Sequence, residues 1–159
     1  MNLMWLGEEN WFPLVIIKHP QMGHLCGYVG VPAEHPWYKM KYNQCLEGCE
    51  GEPNSLDPTI TTWHCSHDTP ECLIDVHGGL TYSGMGDDEY LPAGYWWFGF
   101  DCAHAWDLIP GLPNLSGGSY KDKDYVEREC RSLAQQLAKV VKIIPIPEAF
   151  LSAFPPDCV

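Results

Sequence analysis

The sequence predicts an α+β fold, a mainly antiparallel sheet with one long helix from the C-terminal half of the chain packed on it. Three observations lead to this class. Short apolar or aromatic runs bounded by turn residues recur through the first hundred residues, and a single amphipathic stripe of helical period follows them. Residues 43–72 show neither period and are rich in Cys and His. At 159 residues the chain can bury one core, so we expect a single domain over residues 1–159 with an irregular insertion at 43–72.

The first two strands are expected at Trp11–Lys18 and His24–Val31, with a turn between them that favours an antiparallel hairpin. Pro13 near the start of the first strand indicates an edge position, because proline cannot donate to a neighbouring strand. Gly27 and Gly30 in the second strand indicate a bulge or the close approach of another backbone or a ligand.

The later elements follow from the same periods. Leu73–His77 is expected to be a strand that turns Ile74 and Val76 towards the core. Tyr95–Asp101 is the most strongly indicated strand, and its alternation separates Trp96, Phe98, Phe100 and Cys102 from Trp97, Gly99 and Asp101. A capping box at Asp124 and Glu127 predicts the start of the helix, which the apolar stripe extends to about Lys142.

The insertion at 43–72 contains the densest group of metal-type ligands in the chain. Thiolates and imidazoles in two pairs are typical of structural zinc sites, which stabilise segments with little core of their own. Buried thiols and surface histidines are the competing interpretation. If zinc is the cofactor, the expected ligands are Cys45, Cys49, Cys65 and Cys72, with His67 as the alternate.

The candidate site lies where two strand-like runs break into polar residues, at Leu73–Gly84 and Tyr95–Gly111. The Cys, His and Asp side chains there are typical of a Cys/His nucleophile pair, a His/Asp metal site or a polar rim for ligand hydroxyls. The paired glycines allow a ligand to approach the backbone. The catalytic candidates are His77, His104 and Asp101. The expected ligand-binding residues are Trp37, Tyr38, His77, Gly78, Gly79, Tyr82, Asp101, His104 and Asp107.

The formal charge of −12 disfavours binding to a nucleic-acid polymer, because such a surface repels phosphates. No signal-like or membrane-spanning run is apparent, so we expect a cytoplasmic protein without a membrane partner.

Four segments together resemble a family of small proteins found mainly in bacteriophages and prophage-bearing bacteria. They read GYVGVPAEHPWY, VHGGLTYSG, WWFGFDCAHAWDLIPG and YKDKDYVERECRSLAQQLA, and they span most of Gly27–Leu137. The resemblance implies a phage context and a shared fold, and it implies the cytoplasm of an infected or lysogenic bacterium as the location. It implies no mechanism.

Three function classes fit these observations. The first is a small-ligand-binding protein that sequesters a nucleotide-type immune signal. It would stack a base on a Trp or Tyr ring and hold phosphates with backbone N–H groups and a few cations. The second is a hydrolase acting on a nucleotide-type substrate, with His77 or His104 as base and Asp75, Asp101 or Asp107 as its partner or as a metal ligand. The third is an acidic protein that inhibits a host protein by direct binding. A homo-oligomer is expected for the first class by analogy with proteins that build pockets between subunits.

Overall fold

Five antiparallel strands form one sheet, and one long helix packs on it, in the computed structural model, which describes residues 2–46, 68–115 and 117–140. In chain order the elements are β1 (Asn2–Glu9), β2 (Phe12–Lys18), β3 (Leu25–Val31), α1 (Pro70–Leu73), β4 (Tyr82–Met85), β5 (Trp96–Asp101) and α2 (Lys123–Ala138). The sheet order is β1-β2-β3-β5-β4. The predicted α+β class is therefore confirmed.

The hairpin of β2 and β3 forms as expected, with Leu14 opposite Val29 and Lys18 opposite Leu25. The edge position predicted for β2 is wrong, because β1, which the sequence analysis did not identify, pairs with its other side. Pro13 is tolerated there because it lies at the beginning of β2, opposite Glu8. The proline thus marks the end of a strand and not the edge of the sheet.

The core divides into two layers on the two faces of the sheet. Helix α2 packs against β3, β2 and β1 and covers the face that carries Leu14, Ile16, Phe98 and Phe100. The opposite face carries a smaller cluster around Trp97. Alternation along β5 therefore separates Phe98 and Phe100 from Trp97 as expected.

Gly27 is the point of close approach between the sheet and α2. A Cβ on this residue would lie 2.6 Å from Cys130 Sγ and from the ring of Phe100. Because glycine has no such atom, the helix can pack directly on β3. The groups that approach Gly27 are thus side chains, whereas the sequence predicted another backbone or a ligand.

The N-cap of helix α2 lies two residues earlier than the sequence indicates. The N-cap is Asp122, whose carboxylate accepts the backbone N–H of Tyr125 at 2.9 Å. Asp124 instead lies in the first turn, where a negative charge stabilises the helix dipole. The helix ends at Ala138, short of the expected Lys142, which lies outside the described residues.

The strand predicted at Leu73–His77 is wrong. Pro70 begins the short helix α1, which ends at Leu73, and the chain that follows bonds to a side chain of α2 and not to another strand. Gln136 accepts the N–H of Asp75 at 2.8 Å and donates to its carbonyl oxygen at 2.7 Å. Ile74 and Val76 are nevertheless buried in the core as expected.

The insertion at 43–72 lies mainly outside the described residues. Its two ends meet where the backbone N–H of Leu46 donates to the carbonyl of Asp68 at 2.9 Å. Among residues 2–46, 68–115 and 117–140, no helix has the length and apolar character needed to cross a bilayer.

A buried imidazole closes the C-terminal end of α2. His35 Nδ1 accepts the backbone N–H of Trp37 at 3.0 Å, so Nε2 carries the hydrogen and donates to Leu137 O at 2.7 Å. Burial lowers the pKa of His35 from its usual 6.5, although the bond to Leu137 acts in the opposite direction. The neutral ring is therefore the form that the fold requires.

We predict that His35→Gln changes how stability depends on pH. The native state keeps His35 neutral while the unfolded chain protonates it near its usual pKa, so its share of stability is complete above about pH 6.5 and falls at lower pH. The variant should lose about 1–2 kcal/mol at pH 7.5 and decline less steeply than the wild type between about pH 7.5 and 5.5. Urea unfolding followed by tryptophan fluorescence measures both effects, and an unchanged slope would contradict the assignment.

Candidate functional site

The candidate site lies at the end of β5, where three loops converge beside the first turn of α2. These are the turn at His77–Gly79, the loop from Asp101 to Asp107 and the segment that contains Lys121. Their polar side chains fall into an inner group centred on Asp107 and an outer group centred on Asp101.

Asp107 is a buried carboxylate, 7% exposed, with donors from three segments. Its Oδ2 lies 2.8 Å from His77 Nε2 and accepts the backbone N–H of His104 at 3.0 Å. Its Oδ1 lies 3.3 Å from Lys121 Nζ. Burial alone would raise the pKa of Asp107, but the bonds from His77 and His104 outweigh it and the pKa is lowered. Asp107 is therefore an ionised anchor at neutral pH.

His77 is held at both ring nitrogens. Nε2 lies 2.8 Å from Asp107 Oδ2, and Nδ1 lies 2.8 Å from the hydroxyl oxygen of Tyr125. Burial, followed by the nearby Glu129 carboxylate, raises the pKa of Tyr125 to about 12, so this hydroxyl keeps its proton. We call Asp107, His77, Tyr125 and Lys121 the Asp107 network. Of the three carboxylates considered as its partner, Asp107 is the one that meets His77, whereas Asp75 is exposed and bonds through its backbone.

Asp101 is the centre of the outer group. Its Oδ1 accepts the backbone N–H of Ala103 at 3.1 Å, and its Oδ2 accepts the hydroxyl of Thr81 at 3.0 Å. The carboxylate remains 30% exposed. It is thus positioned by two donors and still open to a ligand.

His104 lies between the two groups. Its Nε2 is 3.4 Å from Asp101 Oδ1, yet the two are not aligned as a hydrogen bond, and Nε2 is buried without another partner in the part of the chain that the structure describes. Gly78 packs directly on this ring, and a Cβ at that position would overlap it. Gly78 and Gly79 both have positive φ, at +68° and +82°, which accounts for the glycine pair.

A cleft of about 410 Å³ opens beside Asp101. We call it the polar cleft. It is lined by His19, His24, Cys26, Tyr28, Thr81, Tyr82, Phe100, Asp101 and Ala103. Its volume lies within the range of small-molecule sites, and its wall alternates ring faces with hydroxyl and carboxylate groups.

His19 and His24 both line the polar cleft. The rings of His19 and His24 stack at 4.9 Å with an interplanar angle of 18°. Burial and the charge of His19 lower the pKa of His24, and its Nδ1 has no partner among the described residues. His24 is therefore a neutral, apolar-faced wall at neutral pH.

The thiols near the site are poor nucleophiles. Burial, followed by the Asp101 carboxylate, raises the pKa of Cys26 to about 11. Burial, followed by the Asp107 carboxylate, raises the pKa of Cys102 well above its usual value. Both sulfurs therefore remain protonated and unreactive at neutral pH.

The structure gathers some of the expected ligand-binding residues and separates others. Tyr82 and Asp101 line the polar cleft, while His77, Gly78, His104 and Asp107 lie behind it and position its wall. Trp37 is 5% exposed and packs edge-on against Phe98 in the core. Tyr38 contacts Met85 Sδ through its hydroxyl at 3.7 Å. Trp37 and Tyr38 are thus placed by packing and do not line the cleft.

The zinc prediction is not tested by the described residues. Cys45 is buried and Cys72 is exposed and accepts the Thr69 hydroxyl at 3.2 Å, whereas Cys49, Cys65 and His67 lie outside the described part of the chain. Within the described ranges, no three His, Cys, Asp or Glu side chains are grouped as metal ligands.

No protein-family model, no curated protein and no solved structure matches the chain. The phage resemblance therefore remains a prediction, and the assignment of the site rests on its geometry.

Seven of the nine residues that line the polar cleft were not among the predicted site residues. His24 and Tyr28 reach the site because β3 pairs with β5, with Cys26 opposite Asp101 and Tyr28 opposite Gly99. Tyr125 and Lys121 reach it from the N-terminal end of α2 and the segment before it. The polar runs after Leu73 and Tyr95 predicted the location of the site. The sequence of one strand does not specify which strand pairs with it, so the residues contributed by β3 could not be predicted.

We predict that Asp107→Asn destabilises the protein by about 3 kcal/mol, because it leaves Lys121 without its carboxylate and disrupts the bond to His77. Asp101→Asn is the matched control, since its side chain is partly solvated and should cost about 1 kcal/mol or less. Chemical unfolding measures both free energies. Equal losses would show that Asp107 is not the anchor.

The glycine pair supplies a second test. Gly79→Ala should cost about 1–2 kcal/mol from its positive φ alone, since no atom lies within 4 Å of the added Cβ. Gly78→Ala adds overlap with the His104 ring and should cost more. Unfolding free energies and the NMR signals of the His104 ring compare the two variants. If Gly78→Ala leaves the His104 signals unshifted, then Gly78 does not position His104.

Proposed function

We propose that the protein binds a small nucleotide-type ligand in the polar cleft and holds it without turnover. The observation that carries the proposal is the juxtaposition of the Asp101 carboxylate and Thr81 hydroxyl with the ring of Tyr82 in a cleft of about 410 Å³. A planar base offers a face to an aromatic ring and amino or ring N–H donors to a carboxylate. This pairing of chemistries supports a nucleobase as the bound group.

The charge of the cleft indicates how such a ligand is oriented. Neither Lys nor Arg occurs among the described residues that line it, and the chain carries a net charge of −12. Phosphates would find no cation at the wall, so the base enters the cleft and any phosphate faces solvent. In the phage setting that the motif resemblance implies, retention of such a ligand would sequester a nucleotide immune signal.

Retention without chemistry is favoured by the state of the reactive groups. Both nitrogens of His77 are occupied, and the nearby thiols stay protonated. A group that is already bonded at each polar atom has no free position from which to accept a substrate proton. The inner residues therefore act as a scaffold for the cleft.

One observation favours a hydrolase as the second candidate. His104 Nε2 lies 3.4 Å from Asp101 Oδ1, and a small rotation of either side chain would produce a carboxylate–imidazole pair at the edge of the cleft. Under this alternative His104→Ala abolishes turnover. Under the sequestration proposal no turnover exists to be lost.

Incubation with a panel of nucleosides, cyclic nucleotides and ADP-ribose derivatives, followed by denaturation and chromatography, separates the classes. We expect at least one compound to be depleted from solution and recovered intact. An altered product would support the hydrolase, and depletion of none would contradict binding and favour the acidic inhibitor. Size-exclusion chromatography of the same samples tests the expected homo-oligomer.

The role of Asp101 in binding is tested with a matched pair of variants. Asp101→Asn should weaken the bound compound about 10–100-fold, because it replaces a charged acceptor by a neutral one. Asp75→Asn removes one exposed carboxylate outside the cleft and should leave affinity unchanged. Equal weakening by both would indicate a general effect of charge and contradict the assignment of the cleft.

A further inference from the structure

A second, smaller cleft of about 130 Å³ lies on the sheet next to the polar cleft. We call it the tyrosine cleft. Its lining residues are Ile17, Tyr28, Tyr82, Met85, Asp87, Tyr90 and Leu91. Tyr28 and Tyr82 belong to both clefts and form the wall between them. The volume suits a compact group and is too small for a whole nucleotide.

The aromatic walls of the tyrosine cleft are set by the sheet. Tyr28 of β3 and Tyr82 of β4 both lie opposite Gly99 of the intervening strand β5. Since Gly99 has no side chain, the two rings meet across β5, with centroids 5.4 Å apart and planes at 89°. The perpendicular rings of Tyr28 and Tyr82 line two adjacent sides of the cleft, and Tyr90 contributes a third ring.

The carboxylate of Asp87 also lines the tyrosine cleft. Asp87 is fixed by its own backbone, whose N–H donates to Leu91 O at 3.1 Å, and by the Glu89 N–H, which Asp87 Oδ1 accepts at 2.9 Å. Burial, followed by the charge of Asp87, raises the pKa of Tyr82. The charge of Glu89 is the largest cause of the raised pKa of Tyr90, and Asp87 contributes to it. The carboxylates therefore make the electrostatic potential at the hydroxyls of Tyr82 and Tyr90 negative.

The chemistry of this lining selects the charge of its ligand. Three aromatic rings and a carboxylate surround the space, and neither Lys nor Arg is among the residues that line it. Ring faces attract cations, most strongly those with weak hydration such as methylated ammonium groups. Apolar contacts from Ile17, Met85 and Leu91 suit the methyl groups of the same cation.

From this geometry we infer that the tyrosine cleft binds an alkylammonium group, held by the rings of Tyr28, Tyr82 and Tyr90 and by the carboxylate of Asp87. The inference does not rest on the occupant of the polar cleft. The group belongs either to a free small cation or to a methylated lysine side chain of a protein.

The direct test is isothermal titration calorimetry with choline and with 3,3-dimethylbutan-1-ol, which has the same shape and no charge. Choline should bind at least about tenfold more tightly, because only the charged group gains from the ring faces and from Asp87. Equal affinity for the two compounds, or no binding of choline, would overturn the inference. A parallel titration with a trimethyl-lysine hexapeptide identifies the source by whichever cation binds more tightly.

Variants locate the site. Asp87→Asn and Tyr90→Leu should each weaken choline binding about 5–30-fold. Asp75→Asn, which removes an exposed carboxylate that does not line the cleft, should leave it unchanged. If Asp75→Asn weakens choline binding as much as Asp87→Asn, the attraction is general and the site is wrong. Circular dichroism melting of each variant confirms that the fold is retained.

Asp101→Asn separates this inference from the proposed function. Asp101 lines only the polar cleft, so this variant should keep wild-type affinity for choline even where it loses the nucleotide-type ligand. Loss of choline binding in Asp101→Asn would place the cation in the polar cleft and overturn the assignment.

Discussion

The buried charge of Asp107 is the constraint on which the arrangement of the site depends. A carboxylate removed from water must be matched by donors, and the donors here come from His77, Lys121 and the backbone of His104. Meeting this requirement brings three loops to the first turn of α2. The backbone of the adjacent Trp106 adopts a positive φ of 74° while its side chain stays 71% exposed. This residue therefore contributes to the turn of the loop and not to the core. The polar cleft is a consequence, since Asp101 and His104 lie on the loop that Asp107 holds.

The wall between the two clefts depends on Gly99, which has no side chain between Tyr28 and Tyr82. Gly99 lies in the middle of β5, between the two tyrosines that pair with it from either side. On the other face of the sheet, Gly27 allows α2 to pack close to the backbone of β3 in the same way. Glycine weakens a strand, but at these two positions it permits contacts that a larger residue would block. One glycine thereby builds the core and the other builds the binding surface.

Electrostatics gives the two clefts a common preference. Asp101 in one and Asp87 in the other are carboxylates partly open to solvent, and neither cleft is lined by Lys or Arg. A strongly acidic chain with such clefts attracts ligands that present hydrogen-bond donors or positive charge and repels exposed phosphates. Donor-bearing bases and alkylammonium groups satisfy this requirement in different ways. The shared wall of Tyr28 and Tyr82 places the two kinds of ligand side by side.

Local sequence determined the α+β class, the β2–β3 hairpin, the two faces of β5, the helix and the general location of the site, because each is written in a period of two or 3.6 residues or in a turn signal. Tertiary structure decided the rest. β1 pairs with β2, which makes β2 an inner strand. Gln136 of α2 bonds to the backbone N–H and carbonyl of Asp75, which a strand at Leu73–His77 would have used for pairing. Trp37 packs in the core. His77 found its carboxylate in Asp107 and not in nearby Asp75, since hydrogen-bond partners are chosen by distance in space, which the order of residues along the chain does not specify.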